Sequence, residues 1–157
     1  MRYLHTDTIL FQHDYPEALV RQQQMHWDPV IESVSRRLGV SFQTTTSLFS
    51  VQQAPETLKQ CEQTLFGFSG QQLAAFEKAV METKSFLLAF AFLEQHKLSL
   101  DEVVHAARLE HVTQQERWGT IEGTHDLDMQ QTRRHLAAAA LCFLHDRPAS
   151  ETIQLQE

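Results

Sequence analysis

Two segments of this 157-residue chain have the spacing of a metal site. Glu102-Val-Val-His105 and Glu122-Gly-Thr-His125 both match Glu-x-x-His, which on a helix sets a carboxylate and an imidazole one turn apart on the same side. Bundle di-metal proteins pair two such motifs with single glutamates from two other helices. The chemistry on offer is that of a di-metal carboxylate oxidoreductase. The surroundings argue against it. Gly123 lies inside the second motif, Gly119 precedes it and Asp126, a natural N-cap, follows it, so this motif is expected in a connection. Glu102 stands three residues after Ser99 in a capping box, where its carboxylate is committed to backbone N–H groups. Nine histidines also make chance matches common. Nucleophilic and phosphate chemistry have less support. There is no G-x-S-x-G elbow, neither cysteine lies near an evident histidine-plus-acid arrangement apart from Cys142 and His145 within a helix, and the five glycines form neither a G-x-G-x-x-G nor a P-loop frame. His145 is read as a surface residue. No catalytic residue, metal or cofactor is expected.

What remains is a polar stretch from Ser99 to Asp126. Its helix is expected to run from the Ser99 cap to about Trp118. Leu100, Val103, Val104 and Ala107 mark an apolar face at spacings of three and four, and the same spacing continues as His111, Gln114 and Trp118. An apolar stripe that turns polar and aromatic beside Arg108 and Glu110 has the composition of a protein interface. Glu110 is otherwise expected to be solvated or paired with Arg108 or Arg117. Glu122 sits between Gly119 and Gly123, where burial is difficult and backbone shape is special, so it is expected to be a contact residue.

The rest of the chain reads as scaffold. Residues 8–12 form either a short strand or an extended lead-in that packs Ile9 and Phe11. Asp14 and Pro16 open a helix to Leu38. It carries Trp27, Val30, Ile31, Val34 and Leu38 on one stripe, with a break near Asp28 ahead of Pro29. Trp27 reads as a core aromatic. Gly39 ends the helix in a left-handed conformation. Residues 40–49 read as extended chain or loop. Pro55 starts a helix through Leu58, Cys61, Leu65 and Phe66 to Gly67. Ser69 and Gln72 form a second capping box, which introduces the longest helix, to about His96, striped by Leu73, Phe76, Val80, Leu87 and Ala91. Residues 86–93 are apolar all round, which places them at the centre, with Lys84 at the rim. Asp126 caps a last helix carrying Met129, Leu136, Ala140, Phe143 and Leu144, stopped by Pro148, with a frayed tail. The fold class is mainly α: one domain of five or six helices around a central buried helix, with at most a short extended N-terminal segment.

Composition narrows the function. The formal charge of −7 opposes nucleic acid or anionic membrane as a primary partner, and the basic pairs Arg36-Arg37 and Arg133-Arg134 are too small to reverse this. The longest apolar run, Phe86 to Leu93, is far short of the roughly 20 residues that span a bilayer. Cys61 and Cys142, far apart and without close spacing, read as two free thiols in a reducing compartment. The first residues carry no secretory or transit signal.

Taken in order, YLHTDTILF, WDPVIE with LGV after it, TKSFLLAFAF, ARLE, QQERWGTIEGTHD and the alanine-rich last helix resemble one family. It is the assembly chaperone that binds the alpha subunit of the mitochondrial F-type ATP synthase. The resemblance covers nearly the whole chain. Its most specific part is Arg108-Leu109-Glu110, Gln114, Trp118-Gly119, Glu122 and His125-Asp126. It implies a helical C-terminal domain, preceded in the family by a smaller β-rich domain, with no catalysis and no cofactor. The expected partner is the unassembled alpha subunit in the mitochondrial matrix, bound by a monomer. The chain begins where the helical part would begin, so residues 1–157 are expected to be that domain alone, with Met1 a supplied start. Glu122, Glu110, Trp118, Gln114, Arg108 and Asp126 are the expected partner-binding residues. His111 and Val112 stand where relatives often carry acids, and Gly123 where some carry an aromatic.

Overall fold

The computed structural model describes residues 2–47, 51–119 and 124–146, with the backbone alone for 2, 115–118 and 124–126. Among the described residues, two short 3-10 turns, Arg2–His5 and Thr8–Leu10, precede eight α-helices. These are α1 (Glu17–His26), α2 (Asp28–Leu38), α3 (Pro55–Phe66), α4 (Gly70–Thr83), α5 (Phe86–Leu93), α6 (Leu100–Ala107), α7 (Leu109–Trp118) and α8 (Thr124–His145). The only sheet-like contact among the described residues is a parallel bridge between Phe11 and Thr45. Residues 8–12 are therefore a tight turn running into an extended lead-in. Ile9 is buried and Phe11 packs against the core. The fold class matches the expectation, but two helices read as continuous are each broken, which raises five or six to eight.

The first unexpected break falls at Lys84. This residue closes α4 in the left-handed region at φ 54°, and Ser85 restarts the chain by accepting the Leu88 N–H on its hydroxyl. Asp7, 79 residues earlier, completes the new N-terminus. Its Oδ2 accepts the Phe86 N–H at 2.7 Å and the Leu87 N–H at 3.2 Å, while Oδ1 accepts the Ile9 N–H at 3.3 Å. Helix starts leave such donors without an intrahelical partner, and a buried start cannot give them to water. Neither Lys84 nor Ser85 is a standard helix breaker, which is why the pattern read straight through.

The second break falls at Arg108, with φ −113° and ψ 14°. In a continuous helix the Ala106 carbonyl would receive the N–H of residue 110. Here it accepts the indole Nε1–H of Trp27 at 2.9 Å. Trp27 is the fully buried core aromatic the sequence indicates. It also marks the expected break between α1 and α2. Both capping boxes form, at Ser69 with Gln72 and at Ser99 with Glu102, and Gly39 adopts φ 67°.

The last helix begins at Thr124, so Asp126 lies in its first turn and is not its cap. Aspartate is favoured at both places, and its identity alone does not set the register. The expected stop at Pro148 and the tail lie outside the described residues.

All eight residues of α5 are buried. α4 packs most extensively on α8, and Phe68 lies edge-on to both Phe76 and Phe143. Some stripe positions face outward instead. Phe66 is 83% exposed, and Leu73, Met129 and Leu144 are each more than a third exposed. His145 is exposed, as expected. Both cysteines are free: Cys61 is buried in α3 and Cys142 exposed on α8. Burial, followed by the nearby Asp7 carboxylate, pushes the Cys61 thiol up to about 12. Among the described residues no helix is long and apolar enough to cross a membrane.

Two stability experiments follow from this core. Leu87→Ala is expected to cost about 2–5 kcal/mol by cavity formation, read from denaturant unfolding; an unchanged stability would show that α5 is not enclosed. Burial, opposed by the hydrogen bonds from Ser85, Leu87, Ile9 and Phe86, raises the Asp7 carboxyl from 3.8 to about 6. A folded-state value above the unfolded one means the proton is held more tightly in the native state. This contribution is full below pH 3.8 and lost as pH rises through 6. The stability difference between the parent and Asp7→Asn should therefore shift against the parent by up to about 3 kcal/mol between pH 4 and 7. A pH-independent difference would mean Asp7 titrates alike in both states.

Candidate protein-contact surface

The α6–α7 break sets the geometry of the polar stretch. Leu109, buried just after the break, anchors α7 to the core. From that anchor, Arg108 turns toward α8 and Glu110 toward the chain before α1. Arg108 Nη1 donates to Asp128 Oδ2 at 2.6 Å, with the arginine side chain only 12% exposed. Glu110 Oε1 lies 2.9 Å from His13 Nε2. Glu110 thus meets a histidine 97 residues away and not Arg108, which pairs with Asp128, while the Arg117 side chain lies outside the described residues. His13 is itself positioned, since its backbone N–H donates to Oε1 of the buried Gln23 at 3.0 Å. Nearby, Gln12 Nε2 donates to Asp28 Oδ1 at 2.8 Å.

Gln114 is exposed one turn beyond Glu110. Arg108, Glu110 and Gln114 therefore share one neighbourhood at the start of α7. α7 ends at Trp118, as expected, and Gly119 follows at φ 86°, a conformation that suits glycine. Glu122 lies outside the described residues, and of Trp118 and Asp126 only the backbone is described. Sequence reasoning missed His13, Asp128 and Gln23. Nothing local to any of them signals the partner, because each contact closes a long loop.

Of the two Glu-x-x-His motifs, the described side chains are those of the first. Glu102 is exposed and accepts the Ser99 N–H at 2.7 Å, and its hydrogen bonds with the Ser99 backbone and hydroxyl hold its carboxyl below the usual carboxylate range. His105 packs edge-on against His26, ring centroids 4.7 Å apart. Partial burial, then the neighbouring His105, lowers the His26 pKa, with Glu102 opposing. His125 is the second residue of α8, so the second motif is not wholly in a connection, while its Glu122 lies outside the described residues. Among the described residues no three metal-ligating side chains gather at one place.

Fold and surface together define a mainly helical domain with a polar, ion-paired face at the start of α7. A family model described as ATP12 chaperone protein matches residues 1–35. The mitochondrial protein atp12 of Schizosaccharomyces pombe is 31% identical over 158 residues, covering 94% of this chain and 54% of that protein. The mitochondrial ATP12 of Saccharomyces cerevisiae is 29% identical over 165 residues, covering 90% of this chain and 51% of its own length. The crystal structure of Atp12 from Paracoccus denitrificans superposes with a TM-score of 0.86 at 24% identity, over 93% of this chain and 62% of that one. The chain is thus similar to ATP12 chaperone proteins over nearly its whole length. It spans about half the length of the curated relatives it matches.

The Arg108–Asp128 pair gives this surface a testable hinge. Arg108→Met keeps the buried stem and removes the charge. With Asp128 well exposed, global stability should fall by less than about 1 kcal/mol. Amide hydrogen exchange at residues 128–131 should nevertheless accelerate; unchanged protection there would mean the pair does not hold α8.

Proposed function

We propose that this domain is an assembly chaperone for the F1 sector of the mitochondrial ATP synthase, acting on the unassembled alpha subunit in the matrix. The observation that carries the reading is sequence identity with mitochondrial ATP12 proteins across nearly the whole chain. Residues 1–157 correspond, in this reading, to the helical portion of the family. The physical need is simple. An unassembled ring subunit exposes an apolar face meant for its neighbour, and that face aggregates until it is covered. Covering it takes a shaped surface with a few anchors and no reactive group. The start of α7 supplies Arg108 toward α8 and Glu110 and Gln114 toward the chain before α1, and we place Trp118, Glu122 and Asp126 on the same contact surface. No catalytic step is assigned.

The test is capture from a mixed pool of unassembled subunits. Alpha should be retained in preference to beta; equal retention would reduce the protein to a general holdase. Glu122→Gln keeps size and most hydrogen bonding while removing charge. If the contact is desolvated, alpha binding should weaken by about 2–5 kcal/mol with the melting temperature unchanged. Binding that survives, or falls only in step with stability, would make Glu122 structural.

A further inference from the structure

A small recess opens where the chain entering α1 faces α7. It has a volume of about 170 Å³, and its walls include His13, Tyr15, Leu19, Glu110, Thr113 and Gln114. We propose that this recess receives one basic side chain, arginine by preference, from the protein bound at the α7 surface. The identity of that protein rests on the chaperone reading; the chemistry of the recess does not.

Charge points to a cation. Among the described residues, Glu110 is the one carboxylate in the lining, and no lysine or arginine lines it. Asp14, exposed between His13 and Tyr15 in the chain, adds a second negative charge close by in sequence. The whole chain, at −7, attracts basic groups from a distance. Shape favours arginine. Tyr15 is 71% exposed and offers a ring face, while Leu19 is buried and gives an aliphatic stem an apolar floor. His13 holds Oε1 of Glu110, and Oε2 bonds to none of the described residues. A planar guanidinium can lie on the tyrosine and donate to that oxygen and to the Gln114 carbonyl together, which a lysine ammonium cannot do with the same geometry. Glu110 also arrives already oriented, through the chain from Gln23 to His13 to the carboxylate.

The experiment has two arms. In the first, the protein is titrated with N-acetyl-arginine amide and, separately, with its neutral citrulline analogue, while the ring signals of His13 and Tyr15 are followed by NMR. A saturable response to the arginine compound alone, lost in Glu110→Gln, is expected. An equal response to both compounds, or none to either, overturns the proposal. In the second arm, binding of the unassembled alpha subunit is compared for the parent, Glu110→Gln and Tyr15→Ala, with melting temperatures confirming that both variants fold. Each variant should bind about tenfold more weakly, and only Glu110→Gln should lose salt dependence. Parent-like binding by both variants overturns the proposal and leaves the chaperone reading intact. An arginine-specific response without any capture of alpha would instead remove the chaperone reading and leave the recess standing.

Discussion

A helix that is apolar on every side must be enclosed, and enclosing it strands its first N–H groups away from water. α5 meets that constraint through Asp7 and Ser85, which between them accept the amides of Phe86, Leu87 and Leu88. Much of the architecture follows. Because Asp7 comes from the start of the chain, the N-terminal turns are fastened to the centre of the molecule. The Thr8 N–H adds to the fastening by donating to the Lys84 carbonyl at 3.1 Å. The burial that raises the Asp7 carboxyl toward 6 is thus the electrostatic cost of closing the core around α5.

Local grammar was legible and long-range grammar was not. Both capping boxes, the Gly39 terminus, the Pro55 start and the complete burial of residues 86–93 follow from residues within one or two turns of each other. The breaks at Lys84 and Arg108 depend on Asp7 and Trp27, which lie 79 residues away from the backbone groups they bind. No spacing rule reaches that far. Phe66 shows the converse limit. Its spacing fits a stripe, but it is the last residue of α3, where no neighbouring element remains to cover it.

The same division applies to the contact surface. The change of a helix face from aliphatic to polar at Glu110 and Gln114 is legible from sequence alone. It could not show that Arg108 and Glu110, only two residues apart, would be divided between α8 and the chain before α1. That division arises because α6 stops when Trp27 takes the Ala106 carbonyl. A core tryptophan therefore sets the direction in which a surface helix starts. The first Glu-x-x-His match loses its ligand for a related reason, since the Glu102 carboxylate is engaged in a capping box.

The two cysteines differ in a way that bears on oxidative damage. Cys61, sealed in the core with its thiol held near 12, is almost never a thiolate at neutral pH and so resists peroxide and electrophiles while the fold is closed. Cys142 stands exposed on α8. Chemically, the folded protein presents a single thiol to its surroundings, and the appearance of a second reactive sulfur reports that the core has opened.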